Sequence, residues 1–371
     1  MTAMHRVESA STARVVVDGR PLLNFGGSGY LGLGGNAEII EAGVEALRRY
    51  GAHSQLPRSA GFSLPANLDA EEAARQFFDV DGAMFFGTGY LFGFIGVSGL
   101  APRCDAVFLD ESAHYSLRDA CLASGLPVHA FRHCDAADLA QAMARELGGS
   151  GRPLVVTDGM FPTWGAIAPL KAYAELLAAR DGWLVVDESH AFGCVGPHGR
   201  GAVELAGIAR DRVLAGGSMA KAIGAHGGIA IGSAALIEQL WKTPAARGAA
   251  LGCSAGAAMT AAGLRHVQGN PALLERLRRN VRLLRQGLRD LGLQPAEHEG
   301  PLATFKHGSA ADMARIQAAL VERGILIAYS TYVGAGAEGV LRIAAFAEHT
   351  EADIARLLAE LRPLLQPAWV G

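Results

Sequence analysis

Three stretches of this chain carry residue types that could act together on one reaction: His114, then Asp187-Glu188-Ser189-His190, then Ser218-Met219-Ala220-Lys221. A lysine amine can form an imine with an aldehyde. A carboxylate can keep a pyridine nitrogen protonated, and a flat side chain can cover an aromatic ring. Those are the demands of pyridoxal 5'-phosphate, and Lys221, Asp187 and His114 answer them in turn. Lys221 follows the apolar run Val213-Leu214-Ala215 and a glycine pair, which sets it in a passage from strand to loop where burial would favour a nucleophilic amine. Asp187 closes the apolar strand Trp183-Leu184-Val185-Val186, so its carboxylate emerges at the carboxyl edge of a parallel sheet, where open α/β folds bind ligands. Taken singly, a lysine after Gly-Gly-Ser is commonly solvated and a strand-end Asp commonly caps a loop. The order and the combination carry the reading.

The elements that must position these residues alternate. Apolar runs at 83–86, 106–109, 127–131, 154–157, 183–187, 213–215 and 228–231 read as strands, with helical stretches such as 136–147 and 170–180 between them. That alternation predicts an α/β fold with a mostly parallel sheet covered by helices on both faces. After Gly269-Asn270-Pro271 the character changes to a long Arg- and Leu-rich helix over 272–291. A strand at 303–306, a helix at 310–323, strands at 325–328 and 340–344 and a final helix at 351–365 follow. The expected organisation is a short N-terminal segment (1–24), a large cofactor-binding lobe (25–270) and a small α+β C-terminal lobe (271–371).

With 371 residues, half of them apolar, the chain can bury two cores. A net charge of −3 without a long basic run gives no footprint for nucleic acid or an anionic membrane. The five cysteines lack paired spacing and no apolar leader opens the chain, so the cytoplasm is the expected compartment. The uncharged stretch Ala83 to Ala101 is as long as a membrane span, but Gly87-Thr88-Gly89 divides it into a short strand and a buried helix. Competing motifs are weaker. Ser218-Met219-Ala220-Lys221 matches S-x-x-K without its hydrolase partner motifs, and Gly252-Cys253-Ser254-Ala255-Gly256 lacks the strand that a nucleophile elbow needs. Gly87-Thr88-Gly89 with Gly93 has one residue too many for a dinucleotide loop. His129, His133 and Cys134 straddle a strand end where side chains four apart diverge, so no metal is expected.

From Asn24 to Leu361 the sequence resembles the α-oxoamine synthase family of fold-type I pyridoxal-phosphate enzymes. The resemblance is carried by Tyr30-Leu31-Gly32-Leu33, Tyr50-Gly51, Gly89-Tyr90, DESAHYS at 110–116, Ala168-Pro169-Leu170, VDESHAFGCVGPHGRG at 186–201, SMAKAIG at 218–224, Leu341-Arg342-Ile343 and His349-Thr350. It implies the fold-type I transferase (aspartate aminotransferase-like) architecture. It also implies that His114 stacks on the pyridine ring, that Asp187 pairs with the ring nitrogen, that His190 contacts the phenolic oxygen and that Lys221 holds the imine. Thr88, Gly89, Tyr90 and Ser218 would bind the phosphate, joined by Ser254 of a second subunit in a homodimer with shared sites. Arg342 would clamp the amino acid's carboxylate, a task suited to a planar guanidinium.

The departures lie on the substrate side. Ala52-His53-Ser54-Gln55-Leu56-Pro57-Arg58 replaces a Gly-rich stretch and keeps its arginine, Ser28-Gly29 replaces Asn-Asp, Asn67 replaces a histidine, and Pro162 and Trp164 replace Ser and Asp. Ser28 and Arg58 are therefore expected to touch substrate. The implied reaction is a decarboxylative Claisen-type condensation of a small amino acid with an acyl thioester, on coenzyme A or a carrier protein, giving an α-aminoketone. Transamination or simple decarboxylation on the same fold is the alternative, and a catalytically silent dimer partner is disfavoured by the retention of Lys221, Asp187 and His114.

Overall fold

Strands that read as continuous apolar runs are buried on both faces, and the computed structural model, which describes residues 4–249 and 252–365, shows how these are covered. The chain opens with a hairpin of β1 (Arg14–Val17) and β2 (Arg20–Asn24). Helices α1 (Ala37–Tyr50) and α2 (Pro65–Phe78) follow, then β3 (Gly82–Phe86), α3 (Leu91–Leu100), β4 (Ala106–Asp110) and α4 (Tyr115–Leu122). Next come β5 (Val128–Phe131), α5 (Ala136–Leu147), β6 (Pro153–Asp158), α6 (Leu170–Ala178), β7 (Trp183–Asp187) and α7 (Ala202–Ala206). After β8 (Val213–Ser218) and β9 (Gly228–Gly232) stand α8 (Ala234–Leu240), α9 (Pro244–Ala249) and α10 (Ser254–Gly269). The C-terminal part holds α11 (Ala272–Asp290), β10 (Leu302–Phe305), α12 (Ala310–Glu322), β11 (Ile325–Leu326), β12 (Ala328–Ser330), β13 (Val340–Ala344) and α13 (Glu351–Leu361).

Two units emerge. One comprises 36–161 and 167–270; the other gathers 1–35, 162–166 and 271–371. The larger unit is built on a seven-stranded sheet of order β3-β9-β8-β7-β6-β4-β5. Its strands run parallel except β9, which is antiparallel to both β3 and β8. Because the other six point the same way, the chain leaves β3, β4, β6, β7 and β8 at one edge, and every cofactor residue expected above except Ser254 either ends one of these strands, as Asp187 and Ser218 do, or lies in a loop that starts there. Helix α3 is apolar on all sides and buried against the sheet, with Phe92, Ile95, Val97 and Leu100 fully enclosed. At ten residues it is far shorter than a membrane span, and no helix among the described residues is long and apolar enough to cross one.

In the smaller unit, β2 pairs antiparallel with β1 and parallel with β11, and β13 is the centre of an antiparallel sheet flanked by β10 and β12. The run expected as one strand over 325–328 is thus two short strands that pair in different sheets. Helix α11 buries Leu273, Leu277, Val281, Leu284 and Leu288 along one stripe and turns Arg276, Arg279, Arg282 and Arg289 to solvent. Helices α12 and α13 each start in a reciprocal capping box, Ser309 with Asp312 and Thr350 with Asp353.

Candidate active site

Strand β7 delivers Asp187, 4% exposed, to the carboxyl edge. Asp187 Oδ1 accepts the Ser189 N–H at 2.8 Å, and Ser189 Oγ accepts the Ser218 N–H at 2.7 Å, so the ends of β7 and β8 are tied together. Gly217 makes this possible. Its φ of +147° suits glycine, and a Cβ there would lie 2.4 Å from Ser189 Oγ and 2.8 Å from Asp187 Oδ1. Lys221 follows in the turn after β8, half-buried, and His190 is buried in the turn after β7.

The loop after β4 brings in His114. Its N–H donates to Asp158 Oδ2 at 2.9 Å, and its Nδ1 accepts the Ser116 N–H at the start of α4, 2.7 Å from Ser116 Oγ. The imidazole is therefore fixed from both its backbone and its ring. Burial pushes the His114 pKa below the ordinary value against the opposing charge of Asp187, with the charge of Lys221 adding to the depression. The three residues expected to hold the cofactor are thus close enough to feel one another's charge, and the imidazole is held neutral.

Asp158 completes this group and was missed in the sequence, where the strand was ended at Thr157. It is paired in register with Asp187 across β6 and β7, is 3% exposed, and is pushed well above the usual carboxylate range by burial and by the charge of Asp187. The strand-end logic that selected Asp187 selects Asp158 once β6 is extended by one residue. Glu188 is buried as well. It accepts the Ala202 and Val203 N–H groups at 2.8 Å each and is raised to about 7 by burial, which these bonds oppose.

Thr88, Gly89 and Tyr90 precede α3, where the positive end of the helix dipole favours an anion. Gly89 presses on Ser218 so closely that a Cβ would lie 2.5 Å from Ser218 Cβ and 2.7 Å from its nitrogen. Tyr90 stands edge-on to His114, ring centroids 6.3 Å apart, and its hydroxyl bonds Asp119. The donors for a phosphate, the acid for a pyridinium nitrogen, the flat neutral ring and the amine therefore line one sheet edge, and this set fits pyridoxal phosphate. Ser254 is fully buried at the start of α10, where its hydroxyl donates to Gly51 O and its N–H to Ala52 O. Arg58 is not brought into this group: its fork is bidentate to Glu71 at 2.7 and 2.8 Å and lies over the Trp241 ring. Asn67 is buried in α2, with neither side-chain polar atom partnered among the described residues.

In the smaller unit Arg342, 8% exposed on β13, donates from Nε to Pro162 O at 2.8 Å, from Nη1 to Gly27 O at 3.2 Å and from Nη2 to the Tyr30 hydroxyl at 3.0 Å. Ser28 lies in the same Gly26–Gly29 stretch, half-buried. The segment carrying Pro162 is held by Thr163 Oγ1 to Val333 O, Trp164 Nε1 to Gly334 O, and Thr304 Oγ1 to Thr163 O.

The family model for aminotransferase class I and II matches residues 20–361. An 8-amino-7-oxononanoate synthase of Thioalkalivibrio sulfidiphilus is 34% identical over 96% of this chain and 91% of its own length, and one of Methylococcus capsulatus is 36% identical over 96% and 92%. Among solved structures, a serine palmitoyltransferase from S. paucimobilis with bound PLP and myriocin superposes with a TM-score of 0.89 at 25% identity, covering 97% of this chain and 92% of that one. Sphingomonas wittichii serine palmitoyltransferase gives 0.90 at 25% identity over 97% and 91%. Fold, cofactor set and relatives agree: the chain belongs to the aminotransferase class I and II family and, within it, to the pyridoxal-phosphate-dependent α-oxoamine synthases, acyltransferases that condense an amino acid with an acyl thioester.

Proposed function

We propose that this chain joins a small amino acid to an acyl thioester with loss of the amino acid's carboxylate as carbon dioxide, releasing a free thiol and an α-aminoketone. The observation that carries the assignment of roles is that the parallel strands β4, β7 and β8 end at one sheet edge, with His114, Asp187 and Lys221 at or just beyond those ends and His114 N–H bonded to Asp158 beside Asp187. When bound, pyridoxal phosphate supplies an electron sink for negative charge at the amino acid's α-carbon. The residues do the rest. Lys221 would hold the cofactor's aldehyde, and its amine would take the amino acid's α-proton and return one. Asp187 keeps a proton on the pyridine nitrogen, and the neutral His114 imidazole covers the ring. His190 donates a hydrogen bond to oxygen where charge develops. Amides at Thr88-Gly89-Tyr90 and the Ser218 hydroxyl bind phosphate, with Ser254 supplied by a second copy in a cytoplasmic homodimer. Arg342 takes the amino acid's carboxylate, and Ser28 belongs to substrate binding; Arg58, its fork spent on Glu71, is left out of this role.

The names of the curated relatives suggest a first pair of substrates. A nine-carbon acid with an 8-amino and a 7-oxo group arises from alanine, less its carboxylate, joined to a seven-carbon dicarboxylic acyl thioester. Incubation of the purified protein with alanine, serine or glycine and a series of acyl thioesters should release thiol and carbon dioxide in equal amounts, with an aminoketone of the corresponding mass. Keto acid formed from the amino acid without any thioester would replace this reading with transamination; carbon dioxide and an amine without thioester would replace it with decarboxylation.

A further inference from the structure

A second group of ligating side chains stands at the ends of β4 and β5. Asp110, fully buried, closes β4. Its Oδ1 lies 3.0 Å from His133 Nδ1 and its Oδ2 accepts the Cys134 N–H at 2.9 Å. Cys134 Sγ is 3.7 Å from both ring nitrogens of His133. His129, the ligand that sequence spacing suggested, is held elsewhere by Glu146, and the third position falls to Asp110 from the neighbouring strand. This is the one such cluster among the described residues.

Two further observations point to an occupant. Tyr173 is wholly buried, its ring centroid 5.5 Å from that of Phe131 at the end of β5, yet its hydroxyl has no hydrogen-bond partner among the described residues. A buried orphan hydroxyl is costly unless something binds it. Cys134 also adopts φ of +55°, a conformation that Asn, Asp and Gly take readily and Cys does not. Tetrahedral zinc, with nitrogen at about 2.0 Å and sulfur at about 2.3 Å, separates its ligand atoms by roughly 3.3–3.6 Å. The separations of 3.0 and 3.7 Å bracket that range.

We infer that Asp110, His133 and Cys134 form a binding site for one divalent ion of borderline softness, of the zinc and cobalt class, with its fourth position left to water. One carboxylate, one imidazole and one thiol exclude the all-oxygen preference of magnesium and calcium. A thiol binds such an ion as thiolate, so binding exchanges the Cys134 proton for the ion and releases that proton to water. The ion braces the end of β4, from which the loop to His114 departs. The proposal is independent of the condensation reaction.

Cobalt(II) added to chelator-treated, cofactor-loaded protein should bind at one equivalent, with the visible spectrum of a four-coordinate ion and a thiolate charge-transfer band in the difference spectrum. Zinc should displace it and magnesium should not. Cys134→Asn, which suits the left-handed backbone, should lose the charge-transfer band and weaken binding at least about 100-fold. X-ray absorption of zinc-loaded wild-type protein needs no variant and should show a single sulfur at about 2.3 Å. No uptake, a zinc shell without sulfur, or the same band in the folded Cys134→Asn protein overturns the site.

Discussion

Arg342 spends three of its five N–H groups on Pro162 O, Gly27 O and the Tyr30 hydroxyl, which leaves one on each terminal nitrogen. Those two are the pair that a carboxylate meets bidentately. A lysine at this position keeps the charge but cannot hold three neighbours and a ligand together. Arg342→Lys should therefore raise KM for the amino acid by about 10- to 100-fold, the value of one to two charged hydrogen bonds, with a smaller effect on kcat. Steady-state kinetics at saturating thioester measure the split; an unchanged KM removes Arg342 from substrate binding. At the same scale, Lys221, Asp187 and His114 were legible in the sequence because their chemistry is specific and strand ends mark the ligand edge. Asp158 and Asp110 were not. Each closes a strand whose expected end fell one residue short, and the partner that makes each one interesting comes from a different strand.

The elements were most legible where burial is complete. The inner strands of the large sheet read as apolar runs because both faces are covered, whereas the edge strand β5 is only partly buried, and α5 and β13 have the bounds expected of them. The hairpin of β1 and β2 has a local signal only for its turn, Asp18-Gly19 with φ of +50° and +73°. It is short, and its place depends on β11, whose Ile325 pairs with Leu23 across some three hundred residues, a contact that no local pattern encodes. Packing between elements makes its own prediction at the phosphate loop. Gly89 before α3 meets backbone atoms of Ser218 rather than a flexible side-chain tip, so an added methyl must push α3 away from β8. Overpacking of this kind costs about 1–3 kcal/mol, and Gly89→Ala should lower affinity for pyridoxal phosphate by at least about tenfold without altering the far-ultraviolet circular dichroism. Retention of full affinity in a fluorescence titration would mean that the phosphate does not use this loop.

Across the whole molecule, buried histidines and buried carboxyls titrate in opposite senses. In the smaller unit, His349 accepts the Phe346 N–H at Nδ1 and bonds Asn24 O through Nε2, both at 3.0 Å, an arrangement that requires the neutral ring. Burial lowers its pKa from the ordinary 6.5 to about 4, and that of His298 to about 3. For a depressed pKa the unfolded chain binds the proton first, so this stabilisation is present above about pH 6.5 and is lost as pH falls through 4. Glu188, in the larger unit, is raised from 4.5 to about 7; its stabilising share is present below 4.5 and is lost as pH rises through 7. Hydrogen exchange between pH 7 and pH 4, corrected for intrinsic rates, should thus show protection falling around β2 and β13 before it falls in β6 and β7. The reverse order would contradict these assignments.

The central claim is that Lys221 is the amine that holds the cofactor aldehyde, and the chain makes this unusually clean to test because its lysines are four: Lys171, Lys221, Lys242 and Lys306. Protein loaded with pyridoxal phosphate, reduced with borohydride, digested and mapped by mass spectrometry should carry the pyridoxyl phosphate adduct at Lys221, and Lys221→Ala should carry none there and show no turnover. An adduct confined to another lysine, or wild-type protein that takes up no cofactor, would contradict the account.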